Sequence, residues 1–216
     1  MEISAKVVKA LREKTGAGMM DCKKALAESN GDFDLAIEYL QKKSLAAVGK
    51  RADKVAAEGQ VGAYIHTGGR IGVLVEINSE TDFVGRSEHF QALVKDIAMQ
   101  IAAANPQYLD DSQIPADVIA KQREIYLAQL ADSGKPANML DRIVDGKIAK
   151  WKKEVCLVDQ PFVKNPDQSI SQYIAEVAST IKENIRVRRF VRFELGEGIE
   201  RHETDFAAEV AAAAQV

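Results

Sequence analysis

The segment Ile71–Val84 reads Ile-Gly-Val-Leu-Val-Glu-Ile-Asn-Ser-Glu-Thr-Asp-Phe-Val. It is the densest β-branched run in the chain, and it ends in a short tip that is first polar and then aromatic. Four of its residues predict a buried or half-buried strand: Val73, Leu74, Val75 and Ile77. Asn78-Ser79-Glu80 ends that strand, so a rigid sheet would fix the position of the residues that follow.

Phe83 lies in this tip. Thr81 is placed to cap the helix that the sequence predicts over Ser87–Ala104, and Phe83 would then stand at the head of that helix. A phenylalanine there is either a hydrophobic staple folded back into the core or a side chain held out at a fixed point. Residue type alone leaves both interpretations open.

Composition limits the class of protein. The chain has 216 residues, 46% hydrophobic and 28% charged, as in an ordinary globular protein of one large or two small domains. The net charge of −3 argues against binding nucleic acid over the whole surface. Residues 1–54 carry 11 Lys and Arg against 8 Asp and Glu, whereas the remainder carries 18 against 24. A mildly basic N-terminal piece therefore precedes an acidic body.

Cys22 and Cys156 belong to no Cys-x-x-Cys pair, and we expect reduced thiols in a cytosolic protein. The three histidines have no metal-ligand spacing, so neither a metal nor another cofactor is expected. The N-terminus lacks the apolar core of a signal peptide, and the uncharged run Ile97–Leu109 is too short to cross a bilayer. We therefore expect a cytoplasmic protein without membrane contact.

Residues 3–48 predict three short helices, with Ser4 and Asp32 suited to cap the first and third and Gly16 suited to end the first. Short connections imply a compact module of a size that suits docking. Residues 49–60 follow as a predicted linker.

The turn between the first two of these helices, Thr15–Gly18, could cradle a phosphate. No strand precedes it and no Gly-Lys-Ser/Thr follows, which favours a tight interhelical turn. Met19 and Met20 begin the next helix, and one of them is expected to stay exposed as an adaptable contact.

A hairpin is predicted ahead of the opening stretch, because Val61–His66 alternates like a strand and Thr67–Arg70 supplies a glycine pair for the turn. His66 would lie on the hairpin rim, where residue type alone indicates an ordinary surface residue. The apolar stripe of Ser87–Ala104 is expected to cover one face of the sheet.

Residues from about 114 to 151 predict a helical arm, with helices over Asp117–Leu130 and Asn138–Trp151 joined by a polar turn. Narrow apolar seams favour an antiparallel helical hairpin. The seam positions are Val118 and Ile125 on the first helix and Leu140, Val144, Lys147 and Trp151 on the second.

The last part of the chain predicts a loop over Pro161–Asp167, an amphipathic helix over Ser169–Ile181 and an outer strand over Arg188–Leu195. Glu203-Thr204-Asp205-Phe206 then repeats Glu80-Thr81-Asp82-Phe83 letter for letter. No spacing indicates a catalytic triad, a Cys/His pair, paired carboxylates or a nucleotide-binding motif, so we expect a binding protein and not an enzyme.

Four segments strongly resemble the elongation factor Ts family. They are Leu11–Leu26, Glu80–Val84, Asp159–Val163 and Phe193–Glu200, and the first two are very specific. The resemblance runs nearly end to end. It implies a guanine-nucleotide exchange factor that binds elongation factor Tu carrying GDP, the GTPase that delivers aminoacyl-tRNA to the ribosome.

The fold class implied by the resemblance is α+β, with an N-terminal three-helix ubiquitin-associated-like module and linker over residues 1–54. A dimerisation and core domain over 55–216 would hold a small antiparallel sheet covered by helices and carry the coiled-coil arm. The hairpin Tyr64–Val75 resembles that of the family's second subdomain but runs directly into the first subdomain's Thr-Asp-Phe-Val motif. The chain is therefore similar to the compact form with one fused core. In some compact members two copies act together, so a homodimer giving a two-plus-two complex stays open.

The resemblance also implies roles for individual residues. Phe83 would be a wedge within the motif that inserts into the GTPase and displaces its Mg²⁺, which consists of Thr81, Asp82, Phe83 and Val84. Contacts with the partner are implied for Arg12, Met19, Met20, His66, Thr204, Asp205 and Phe206. The arm would touch the partner and stiffen the complex.

The main alternative is a non-enzymatic adaptor that binds through the N-terminal helical module, but the long, specific core argues against it. An enzyme with a cryptic site would need a nucleophile that the sequence does not offer. A nucleic-acid module would bind RNA in a salt-sensitive way, and the acidic body argues against direct contact with nucleic acid.

Overall fold

The computed structural model describes residues 3–51, 53–130 and 136–199. Its helices are α1 Ala5–Thr15, α2 Met19–Glu28, α3 Phe33–Arg51, α4 Glu88–Ala104, α5 Ala116–Leu130, α6 Ala137–Val155 and α7 Ile170–Ile181. Its strands are β1 Glu58–Ile65, β2 Ile71–Ser79, β3 Pro161–Phe162, β4 Asn165–Ser169 and β5 Arg186–Glu194. The predicted α+β class is confirmed.

The three N-terminal helices begin at the residues that the sequence indicates, and α1 also ends where predicted. Ser4 Oγ accepts a hydrogen bond from the backbone N–H of Val7, and Gly16 ends α1 with φ of 67°. Asp32 Oδ1 accepts the backbone N–H groups of Asp34 and Leu35 at 3.0 and 2.9 Å. The helices enclose their own apolar cluster, formed by Val8, Leu11, Cys22, Ala25, Leu26, Ala36 and Leu40.

The linker predicted over residues 49–60 is wrong at both ends. Helix α3 continues to Arg51 and β1 already begins at Glu58. Glu58 is opposite Ser79 in the sheet. The start of β1 is therefore a strand because it pairs with β2, although its own sequence has no strand pattern.

The main sheet is antiparallel with the strand order β1-β2-β5. Gly68 and Gly69 make the β1–β2 turn with φ of 88° and 70°, a conformation that glycine adopts without steric cost. The prediction of β5 as an outer strand is confirmed, because it lies at one edge of the sheet.

Helix α4 covers one face of this sheet, as its stripe predicts. Phe90, Leu93, Ile97 and Ile101 are fully buried against the inner side chains of β2, which are Val73, Val75 and Ile77. Gly62 allows the close approach, since a Cβ atom there would lie 2.2 Å from Val94 Cγ1. Helix α7 completes this core with Ile170, Ile174 and Val177.

Helices α5 and α6 pack against each other, and Arg123 bridges them by ion pairs to Asp141, at 3.2 Å, and to Asp145. Of the second predicted seam, Val144 is fully buried. Ile125 is not a seam residue, because its side chain is 43% exposed. The packed side of α5 is centred on polar and aromatic residues such as Arg123 and Tyr126, which an apolar pattern does not detect.

The loop predicted over Pro161–Asp167 is a small hairpin, in which β3 pairs with β4. Phe162 anchors it by stacking on Tyr173 with ring centroids 4.6 Å apart. Gln100 Oε1 accepts the backbone N–H of Val163 at 2.9 Å. Tertiary contacts thus order a segment whose Pro and Asn residues indicate a loop.

None of the helices in the described ranges is long and apolar enough to cross a membrane. The repeated motif at Thr204, Asp205 and Phe206 lies outside the described residues.

Candidate functional site: the tip after strand β2

Phe83 projects from the end of the central strand. Its side chain is 78% exposed, whereas that of Val84 is 8% exposed and belongs to the main core. The staple interpretation of Phe83 is therefore wrong, and Val84 is the residue that anchors the tip. At this exposure, the phenylalanine ring is accessible to another molecule.

The tip leads into a 3-10 turn over Val84–Arg86, and only then into α4. The N-cap of α4 is Ser87, whose Oγ accepts the backbone N–H of Phe90 at 3.3 Å. The prediction that Thr81 caps this helix is wrong. Thr81 instead donates its hydroxyl to Glu183 Oε1 at 2.6 Å, across 102 positions of sequence.

The N-terminal candidates lie on the surface of the three-helix cluster. Met19 and Met20 are 44% and 76% exposed, so both face solvent and not only one of them. They open α2, whose N-cap Gly18 has no side chain to cap the helix. Arg12 is exposed on α1.

His66 lies on the hairpin rim, as predicted, and is exposed. Its Nδ1 atom is 3.0 Å from the hydroxyl of Tyr64. The structure does not bring His66 and Phe83 together, because they lie at opposite ends of β2. At about 3.3 Å per residue this separation is roughly 25 Å.

Sequence reasoning missed three residues that hold the tip: Lys54, Glu183 and Asn184. Glu183 accepts hydrogen bonds from the backbone of Glu80 and Thr81, and Glu80 accepts from Lys54 and from the backbone of Asn184. No local pattern could have found these contacts, because the partners are 26 or more positions apart. Of the residues in this network, only Glu80 lies in a segment that the sequence had singled out, the motif Glu80–Val84.

Among the described residues, no group of three or more His, Cys, Asp or Glu could hold a metal ion. Both cysteines are free and buried. Burial and, secondarily, the nearby acid Asp159 raise the pKa of Cys156 to about 11, so this thiol remains protonated near neutral pH.

Comparisons with known proteins agree with the resemblance noted in the sequence. The family described as Elongation factor TS matches residues 3–197. The elongation factor Ts of Geobacter sulfurreducens is 56% identical over 214 residues, with 99% of each chain covered. That of Carboxydothermus hydrogenoformans is 58% identical over 214 residues with the same coverage. That of Desulforamulus reducens is 58% identical over 211 residues, which cover 98% of this chain and 97% of the relative. At this identity and coverage, the chain belongs to the elongation factor Ts family.

Proposed function

We propose that the chain acts as a guanine-nucleotide exchange factor in translation elongation. It binds elongation factor Tu carrying GDP, displaces the Mg²⁺ of that GTPase and promotes GDP release. Family membership supports the exchange role, and the exposure of Phe83 beside the buried Val84 is the observation that supports the mechanism.

The exposed part of the tip, Thr81, Asp82 and Phe83, is proposed to insert into the GTPase, while Val84, the fourth residue of the motif, stays buried and anchors it. A GTPase holds its nucleotide partly through Mg²⁺ that bridges phosphate oxygens, so a wedge that disturbs the metal weakens nucleotide binding. An aromatic side chain buried at an interface can contribute about 2–4 kcal/mol. That energy corresponds to roughly 30- to 1,000-fold in affinity.

Exchange requires no covalent step in this chain. A protein that binds the nucleotide-free GTPase more tightly weakens nucleotide binding by the same factor, because coupling between two ligands is reciprocal. We therefore propose that the chain is not an enzyme and carries no cofactor of its own. The Mg²⁺ belongs to the partner.

The remaining candidate residues are proposed to widen the contact with the same partner. Residues 1–54 would act as a ubiquitin-associated-like docking module through Arg12, Met19 and Met20. His66 would contact the partner near its phosphate loop, and the α5–α6 pair would serve as the family's coiled-coil arm. Because His66 and Phe83 are at opposite ends of β2, the partner would be held over a broad surface. A further contact is proposed for Thr204, Asp205 and Phe206.

We further propose that the outer face of the sheet pairs with a second copy of the chain, giving a two-plus-two complex with the partner. None of the described helices covers this face. It carries apolar side chains from all three strands with exposures of 40% to 67%: Val61, Ile65, Leu74, Val191 and Phe193. In the proposed dimer, two such faces related by a two-fold axis would stack as a sandwich.

Neither membrane nor nucleic acid is proposed as a partner, since the net charge of −3 offers no broad basic surface. The cytoplasm, where bacterial translation takes place, is the proposed site of action.

Release of fluorescent GDP from elongation factor Tu tests this function. The intact chain is expected to accelerate release in a concentration-dependent way, and excess Mg²⁺ should oppose it. GDP release at the spontaneous rate would overturn the exchange function, provided that the chain is tested up to concentrations at which it would dimerise. Binding without acceleration would favour the adaptor alternative.

A further inference from the structure

We propose that Glu183 is a positioning residue for exchange: its carboxylate fixes the start of the tip and thereby aims Phe83. Glu183 lies two residues after the end of α7 and just before β5. The inference rests on the proposed function, because it concerns how well the tip performs that function.

The carboxylate of Glu183 accepts three hydrogen bonds from the tip. Oε2 accepts the backbone N–H groups of Glu80 and Thr81, each at 3.1 Å, and Oε1 accepts the Thr81 hydroxyl at 2.6 Å. Hydrogen bonds to an ionised acceptor are stronger than those between neutral groups. One side chain therefore immobilises two consecutive residues of the tip.

A reciprocal set of bonds runs in the opposite direction. Glu80 Oε1 accepts the backbone N–H of Asn184 at 2.7 Å, and Glu80 Oε2 pairs with Lys54 Nζ at 2.8 Å. The amide of Asn184 donates to the backbone carbonyl of Lys54 at 2.8 Å. The Glu80 and Glu183 carboxylates thus cross-link the β2 end to the α7–β5 junction and to the segment after α3.

These bonds leave only a short segment around Phe83 that is not fixed to the rest of the fold. On one side, Thr81 is fixed by Glu183 and by Ser79 Oγ, which donates to the Thr81 carbonyl at 2.9 Å. On the other side, Val84 is buried in the core. Only Asp82 and Phe83 lie between the two anchors. An exposed side chain held this way loses less conformational entropy on binding than one on a mobile loop.

A carboxylate suits this position better than an amide, because it is an ionised acceptor for all three bonds. Glutamine would offer one neutral acceptor oxygen for the two N–H groups, and its NH₂ group would face the Thr81 hydroxyl, which accepts as well as donates. The Glu183→Gln substitution therefore keeps the size of the side chain, removes the charge from all three bonds and reverses the direction of the bond to the hydroxyl. The start of the tip is then held more weakly.

The test compares GDP release from elongation factor Tu with the intact chain, Glu183→Gln, Phe83→Ala and the double variant. Glu176→Gln is the matched control, because Glu176 is an exposed carboxylate of α7 that bonds Gln168 and has no bond to the tip. We expect Glu183→Gln to lower the maximal release rate about fivefold, as when a neutral acceptor replaces a charged one. The half-saturating concentration should change less than twofold, and Glu176→Gln should match the intact chain.

The double variant separates positioning from general damage to the fold. If Glu183 acts through Phe83, Glu183→Gln should cause little further loss once Phe83→Ala is present. An equal loss in both backgrounds, or a Glu183→Gln variant as fast as the intact chain, would overturn the inference while exchange itself stands. Failure of the intact chain to accelerate release would instead overturn the proposed function.

Thermal unfolding of each variant guards against misfolding. Glu183→Asp is the second variant, because it keeps the charge and shortens the side chain by one methylene. We expect it to fold and to lose less activity than Glu183→Gln. A folded Glu183→Asp variant with the larger loss would contradict a role for the charge.

Discussion

At the scale of single residues, Glu76 shows how one carboxylate ties two strands together. Its side chain is 14% exposed on the outer face of β2 and pairs with Arg188 at 2.8 Å and Arg189 at 2.7 Å. Both arginines reach it because β5 has a bulge opposite the Glu76–Ile77 step. Their hydrogen bonds lower the pKa of Glu76 from 4.5 to about 2.

This lowered pKa predicts the direction of a pH dependence. The ionised form of Glu76 is favoured in the fold, so its contribution to stability is complete above pH 4.5 and is lost as the pH falls towards 2. We expect Glu76→Gln to unfold at a lower temperature than the parent chain near pH 7. This difference in unfolding temperature should disappear as the pH falls from 4.5 to 2. Calorimetry at several pH values measures this, and a gap that grows on acidification would contradict it.

Salt supplies the control for the Glu76 prediction. The two arginines are 61% and 73% exposed, so their pairing with Glu76 is partly screened by solvent. Added salt at neutral pH should therefore reduce the difference in unfolding temperature between the parent chain and Glu76→Gln.

The exposure of Phe83 could not be predicted from the residues around it. The local sequence is equally compatible with a phenylalanine that packs into the core and one that faces solvent. In the structure Val84 occupies the core position, and Phe83 faces solvent. Thr81 likewise has the right residue type for an N-cap, but a carboxylate 102 positions away takes its hydroxyl. Only the family resemblance indicated an outward role for Phe83.

At the scale of elements, the contact between α4 and the sheet depends on Gly62. A Cβ atom at this position would lie 2.2 Å from Val94 Cγ1, and Val94 is only 5% exposed and cannot swing away. We expect Gly62→Ala to reduce the free energy of unfolding by about 1–3 kcal/mol, the usual cost of overpacking a core. Denaturant unfolding measures this change.

Gly146 provides the matched control for Gly62. It lies inside α6, where an added Cβ atom has no neighbour within 4 Å. Because alanine is the better helix former, Gly146→Ala should stabilise by about 0.5–1 kcal/mol. Equal effects of the two substitutions would contradict the account of α4 packing.

Element type and approximate position follow from the sequence wherever a regular pattern meets a recognisable boundary residue. Helix α4 has an uninterrupted stripe and a left-handed residue, Asn105, at its end. Pattern reasoning failed where packing uses other residues, as on the polar face of α5, or where pairing orders a weak segment, as in β3 and β4. Ile125 is apolar and correctly spaced, yet it faces solvent.

At the scale of the whole molecule, the uncovered sheet face predicts association. Leu74 lies on the central strand in the middle of this face and is 47% exposed. If two copies pair there, a glutamate at this position buries an unpaired charge and opposes pairing. Leu74→Glu should therefore be monomeric where the parent chain has twice its 23.6 kDa mass.

Light scattering coupled to size exclusion measures this mass. Leu127→Glu is the control, since Leu127 is an exposed leucine of α5 away from the sheet. The control should keep the parent mass. A parent chain that is monomeric at all concentrations tested would contradict the pairing of sheet faces.

The arrangement of the whole molecule is the part that the sequence predicts least. The family resemblance indicates the α+β class, but nothing local shows that Lys54, Glu80 and Glu183 meet in one network. Nor does it show that His66 and Phe83 lie at opposite ends of one strand. These relations depend on contacts between segments far apart in the chain.

The most direct test of the central claim is the rate of GDP release from elongation factor Tu with the intact chain and with Phe83→Ala. Val163→Ala, which trims another exposed apolar side chain, is the control. We expect the intact chain and Val163→Ala to accelerate release alike. Phe83→Ala, with its unfolding temperature unchanged, should be at least about tenfold slower, in keeping with the loss of an aromatic anchor. A folded Phe83→Ala variant as fast as the intact chain would contradict the wedge.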